Sequence, residues 1–232
     1  MKYAILDYRA SVKTADALEK YGFSVVFTPK LENVYTTICG HTDIMVHKLG
    51  ERQIVAEPTV CEFFNNKMPE IEVIPGKTIL NEKYPYDIAY NAARVGNNIF
   101  CNKNFTDDTI IEFANRNDLN IVNTKQGYAK CSICVVSNDA IITSDKNIQS
   151  AAFKNGIDVL LVNDNEIKLT GFDHGFIGGA TGLINENILA VNGNIELHTN
   201  YNEIIEFCNK YGVEVISLNN DEIIDIGSIL IV

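Results

Sequence analysis

The chain of 232 residues carries 19 Lys and Arg against 30 Asp and Glu, a net charge of −11, and 46% of its residues are hydrophobic. That acidity excludes a nucleic-acid backbone as the natural partner, no uncharged apolar run approaches the roughly 20 residues of a membrane helix, and charges interrupt the start where a signal peptide would be apolar. Six dispersed Cys in a chain of this length read as reduced thiols, so a cytoplasmic globular protein with a sizeable core is expected.

In chain order, residues 3–6 predict a strand, 11–22 an amphipathic helix closed by Gly22, and 23–27 a second strand. Ile44 to Ile54 reads as a loose hairpin, followed by a helix over 58–68 and a strand over 71–74. The third stretch turns at Gly96-Asn97-Asn98 between Val95 and Ile99-Phe100, then gives a helix over 106–118 and a strand over 119–122. In the fourth, Val135-Val136 and Ile141-Ile142 flank Ser137-Asn138-Asp139; a helix starts from Ser144, ends at Gly156, and leads into a strand over 157–161. The fifth repeats this around Asn185-Glu186-Asn187, with Asn200 and Glu203 as a cap, Gly212 as the close and a strand over 213–216.

The unit is therefore strand, turn, strand, helix, strand, anchored at Ile5, Ile54, Ile99, Ile141 and Ile188. The first unit lacks its opening strand, while residues 225–232 supply a spare one at the C-terminus. Pairing the two closes a ring, so one domain over 1–232 is expected: a five-bladed, pseudo-symmetric α/β propeller. A flavodoxin-like or Rossmann sheet is the alternative, but it leaves the hairpin first strands unexplained.

In such a ring the starts of all five first strands converge on one mouth of the axis. Aligning them brings together Asp43, Asp87, Lys130, Asp225 and the Gly179-Ala180-Thr181 segment, with His41 and Cys131 adjacent. Convergent carboxylates call for a cation between them: a guanidinium, an amine, a metal, or Lys130 itself. The plain alternative is an internal Asp–Lys cluster that only closes the ring. Arg9 should reach the same mouth, and Asp173 with His174 could cover it. The glycine-rich stretch 175–182 lacks the pattern of a phosphate loop, so close backbone packing is its simplest reading. Cys131-Ser132-Ile133-Cys134, placed on a strand, sends its two sulfurs to opposite faces, which argues against a redox pair. The four His lack metal-ligand spacing, and a metal would depend on His41, Asp43, Asp87 and Asp225 meeting in space; no metal is assigned.

Five such units around an axis resemble the pentein fold of the guanidino-group modifying superfamily, and more closely an uncharacterised bacterial family assigned to that fold. That superfamily includes arginine and agmatine deiminases, amidinotransferases, dimethylarginine hydrolase and a non-catalytic translation initiation factor. In the enzymes, carboxylates bind the guanidinium, a His is the acid/base, and a Cys attacks the guanidino carbon. His41-Thr42-Asp43 resembles the family's His-x-Asp. The usual His in the fourth unit and Cys in the fifth are replaced by Lys130-Cys131 and Ala180-Thr181. The resemblance implies a hydrolase or transferase of small guanidino or amino compounds, without organic cofactor. Asp43, Asp87 and Asp225 would bind the cation, with Lys130 as an electrostatic group, His41 as acid/base and Cys131 as nucleophile. The alternative is a non-catalytic ring that binds a small molecule or a protein.

Overall fold

The computed structural model describes all 232 residues. The first unit consists of β1 (Tyr3–Leu6), α1 (Val12–Lys20) and β2 (Ser24–Phe27). The second opens with a single helical turn, α2 (Thr42–Met45), and continues through β3 (Val46–Gly50), β4 (Gln53–Ala56), α3 (Cys61–Lys67) and β5 (Glu72–Pro75). Next come β6 (Ala93–Val95), β7 (Asn98–Cys101), α4 (Asp108–Arg116) and β8 (Asn120–Asn123). The fourth unit repeats the extra turn as α5 (Ala129–Ser132), then β9 (Cys134–Ser137), β10 (Ala140–Thr143), α6 (Lys146–Lys154) and β11 (Asp158–Leu161). The fifth holds β12 (Thr181–Asn185), β13 (Ile188–Val191), α7 (Tyr201–Lys210) and β14 (Glu214–Ser217), and the chain ends in β15 (Leu230–Ile231).

Five three-stranded sheets result, each with its middle strand antiparallel to the first and parallel to the third. The first sheet takes its opening strand from the other end of the chain: Ala4 faces Ile231 and Ile5 faces Leu230, while Tyr3 and Val232 exchange backbone hydrogen bonds of 2.8 and 3.0 Å. This is the predicted closure, and the molecule is a five-fold pseudo-symmetric α/β propeller. Middle strands lie between the inner strands and the outer helices and are buried on both faces, which is why Ala4-Ile5-Leu6, Ile54-Val55-Ala56 and Ala140-Ile141-Ile142 are unbroken apolar runs. No helix is long and apolar enough to cross a membrane.

The structure corrects the sequence reading locally. Ile5 stands one residue late and Ile188 one early against Ile54, Ile99 and Ile141. The fourth helix is capped by Asp145, not Ser144, because the Asp145 carboxylate accepts from the Asn147 and Ile148 amides. Asn200 precedes α7 without a side-chain cap; its amide oxygen accepts from Asn163 instead. Cys131 and Cys134 do not share a strand, since α5 holds the first and β9 begins with the second.

Candidate active site

The one-turn helices decide which side chains reach the axis. Asp43 and Lys130 each stand second in their helical turn, and the pairings His47↔Val55 and Cys134↔Ile142 set them in the same register, so Lys130 is the counterpart of Asp43 in the fourth unit, as the sequence alignment has it, and Cys131 that of Ile44. Asp87 lies six residues before Ala93, which stands in register with His47, a slip of two against Asp43.

Cys131 is buried on the axis, with its thiol 3.0 Å from Asp43 Oδ2 and accepting from the Asn91 amide at 3.2 Å. Asn91 is fixed from behind, its oxygen accepting from the Lys130 amide at 2.7 Å. Ser228 Oγ lies 2.8 Å from the same Asp43 oxygen and accepts from Lys130 Nζ at 2.8 Å. Asp43 Oδ1 is buried without a partner. The imidazole of His41 lies between two carboxylates, Nε2 4.0 Å from Asp7 and Nδ1 3.9 Å from Asp225, and makes no hydrogen bond through Nδ1. Asp225 accepts from the Phe176 and Gly227 amides, both at 2.9 Å.

This packing explains part of the glycine-rich stretch. A Cβ on Gly179 would stand 2.1 Å from Asp225 Oδ1, and one on Gly227, which has a φ of +65°, 2.2 Å from the His41 Cβ. Only glycine lets the backbone approach these side chains so closely.

Burial, reinforced by Asp43 and Asp225, pushes the Cys131 thiol well above its ordinary value. Burial likewise raises Asp225, although nearby His41 and the two amides work against it. One donor atom from each of His41, Asp43 and Cys131 falls within 4.8 Å of the others, near enough for a shared cation. Cys131 thus takes the place that Asp87 and Asp225 hold in the sequence-derived metal set.

A cavity of about 250 Å³ opens above the cluster. His41, Cys131 and Asp225 form its floor, Tyr35, Ile38 and Tyr128 one wall, and Leu169, Phe172, Asp173, His174 and Phe176 the other. Asp173 and His174 are among the residues that line this cavity. Three residues differ from expectation. Asp87 is buried behind the wall, where Tyr128 donates to it at 2.6 Å and lies 3.0 Å from Tyr35 in turn. Lys130 directs its ammonium to Ser228 and the Gly178 carbonyl, toward the opposite end of the axis. Arg9 is held by Asp7 through Nε and Nη2, at 2.9 and 2.6 Å, and by the carbonyls of Thr36 and Thr37. Asn91, Ser228, Asp7 and the Tyr35–Tyr128 pair were not singled out in the sequence. Asn91 lies two residues before β6, and no sequence signal marks it.

Residues 5–230 match a family of unknown function, DUF6873. The chain belongs to this family. Solved structures with the same fold include an amidinotransferase from Microseira wollei in the saxitoxin biosynthetic pathway, at 12% identity and a TM-score of 0.54 over 88% of this chain and 72% of that one. DDAH from Pseudomonas aeruginosa, complexed with citrulline, aligns at 10% identity and a TM-score of 0.53 over 93% and 91%. The inosamine-phosphate amidinotransferase of Streptomyces griseus aligns at 11% identity and a TM-score of 0.52 over 90% and 73%. All three are pentein-fold enzymes that modify guanidino groups, and the DUF6873 chain shares their fold. No curated protein matches the sequence.

Proposed function

We propose that the protein is a hydrolase or transferase of a small guanidino or amino compound, with Cys131 as nucleophile. The observation that carries this reading is a thiol on the floor of a cavity, 3.0 Å from Asp43 and near Asp225 and His41, whose Nδ1 has no hydrogen-bond partner. Burial, with Asp43 and Asp225 adding to it, favours the protonated thiol. A cationic ligand reverses that field: a guanidinium resting in the cavity against Asp225 places positive charge beside the sulfur and favours the thiolate. Sulfur then adds to the guanidino carbon as the thiol proton passes to Asp43 or His41, and the C–N bond breaks as His41 delivers a proton to the departing amine. Water, or an acceptor amine, attacks the same carbon to release product, and the sulfur takes its proton back. Asp7, held by Arg9, sits behind His41, 4.0 Å from Nε2.

The test compares two alkylating agents of one shape, 2-chloroacetamidine, which carries an amidinium, and neutral 2-chloroacetamide, at pH 7 with peptide mapping by mass spectrometry. The amidinium should label Cys131 at least about tenfold faster, as one charge-assisted contact allows. Asp225→Asn should remove the preference, Cys134→Ser should keep it, and arginine or agmatine should protect if either fits the cavity. Equal labelling by both agents, or none by either in the folded protein, would overturn the reading and leave a non-catalytic ring.

A further inference from the structure

A second cavity of about 500 Å³ lies at the other end of the axis, where the hairpin turns gather. Three cationic side chains enter its lining from three successive units: Lys48 on β3, Arg94 on β6 and Lys130 on α5. In a protein with 30 acidic residues, none of the three has an ion-pair partner, whereas Arg9, Lys13, Lys77 and Lys210 each hold a carboxylate. Asp43 and the rim residue Glu51 are the only acids among the lining residues. Asp43 is separated from the Lys130 ammonium by Ser228.

The donors are also available. Lys48 makes no side-chain hydrogen bond, Arg94 spends Nε on the Gly96 carbonyl and Nη1 on that of Leu49, and its Nη2 stays free. Burial pushes the Lys48 ammonium down and Arg94 adds to this, against the opposing pull of Glu51. Asn97 and Asn138, at the turns of the third and fourth hairpins, add amide donors to the same lining. Like charges brought together in a concave site without counterions raise the local potential, and an anion relieves that cost. All the cationic and amide side chains of the lining come from the second to fourth units, interleaved with Val46, Leu49 and Val135, while Leu183, Ile229 and Ile231 line the side at the seam of the ring.

We propose that this rear cavity is a binding site for a small oxyanion, a phosphate- or carboxylate-bearing molecule held by Lys48, Arg94 and Lys130. It stands apart from the chemistry proposed for Cys131, because no step of that chemistry uses Lys48 or Arg94.

Isothermal titration calorimetry at constant ionic strength, with phosphate, citrate and chloride in turn, tests it. Saturable binding of phosphate, citrate or both, absent with chloride, is expected, and the better of the two identifies the anionic group. Lys48→Gln should raise the Kd by about tenfold or more, the loss of one charge-assisted contact, while Lys20→Gln on the exposed end of α1 leaves it unchanged. Arg94→Gln should do the same as Lys48→Gln; since it also frees two carbonyls, its fold is checked by circular dichroism, and Lys48→Gln carries the decision if that fold is lost. Cys131→Ala should bind as the wild type does. No saturable heat with either oxyanion, or an unchanged Kd in Lys48→Gln, overturns the assignment.

Discussion

Asp164 offers a direct test of the electrostatics beneath the cavity. It follows β11 and opens the segment that carries Leu169, Phe172 and Phe176 to the wall. Its side chain is buried, one oxygen accepts from the Ser144 hydroxyl, and the other has no partner. Burial raises its carboxyl from 3.8 to about 6, with the Ser144 hydrogen bond opposing. Below pH 3.8 both folded and unfolded chains keep the proton and its contribution is complete. As pH rises, the unfolded chain releases the proton first and the folded chain holds it until about pH 6, so stability falls across that window and levels off above it. At about 1.4 kcal/mol for each pH unit of the window, the loss is on the order of 3 kcal/mol. Asp164→Asn has no proton to release. Urea unfolding of both proteins at pH 4, 5, 6 and 7, followed by far-ultraviolet circular dichroism, should show the variant gaining about 3 kcal/mol on the wild type between the ends of the series. All other titrating groups are common to both proteins and cancel in the difference. A difference constant within about 0.5 kcal/mol across the series would refute the reasoning, since it would mean that Asp164 titrates alike in both states.

Asp107, fully buried, accepts from the amides of Lys77, Thr78 and Thr109, so Asp107→Ala leaves three donors unsatisfied and should cost about 3 kcal/mol or more in urea unfolding. Gly179→Ala, whose new Cβ meets Asp225, should lose about 1–3 kcal/mol, whereas Gly50→Ala, with its nearest neighbour at 3.8 Å, should stay within about 0.5 kcal/mol; thermal unfolding separates the two. Deleting residues 230–232 exposes the edge of β1 and removes the buried Val232, and should lower stability by at least about 2 kcal/mol and promote self-association, read by light scattering.

The propeller was legible because its signals repeat. Five middle strands are buried on both faces, and the five outer helices present a polar face to solvent, so each unit writes the same apolar pattern at nearly the same spacing. The closure of the ring was legible from one unpaired apolar strand, 225–232, of which only Leu230 and Ile231 pair as a strand. The site was legible in its members and not in their arrangement. His41, Asp43, Cys131 and Asp225 do meet; Asp87 instead lies behind Tyr128, and the helical turn of α5, which nothing in the apolar pattern marks, turns Cys131 to Asp43 and the Lys130 ammonium to Ser228. A turn of four residues leaves too few positions for a helical period to show. Lys130 keeps the register of Asp43, and it is the next residue, Cys131, whose side chain meets that carboxylate. Ser228, at a φ of +74°, follows Gly227 where the chain bends beneath His41; its contact with Asp43 joins residues 185 apart in sequence, a proximity set only by ring closure.

The charge distribution on the axis supports reading it as a site and not as mere closure of the ring. A structural cluster would match each buried acid with a base, since an unpaired buried charge costs several kcal/mol. Here Arg9 matches Asp7, but Asp43 keeps one oxygen without a partner and Asp225 has only backbone amides and an imidazole 3.9 Å away. Lys130 could have paired with Asp43 directly, and instead Ser228 stands between them. Gly175, Gly179 and Gly227 give up side chains so that the backbone can close around Asp225 and His41. The same arrangement leaves Asp225 with no basic side chain but His41 at the cavity of 250 Å³, and Lys48, Arg94 and Lys130 without an ion pair at the cavity of 500 Å³. Had folding alone governed these residues, exchanging charge along an axis they already share would have relieved both ends. That they stay separated, with Asp43 and Ser228 between them, is what a ring would show if it receives a cation at one mouth and an anion at the other.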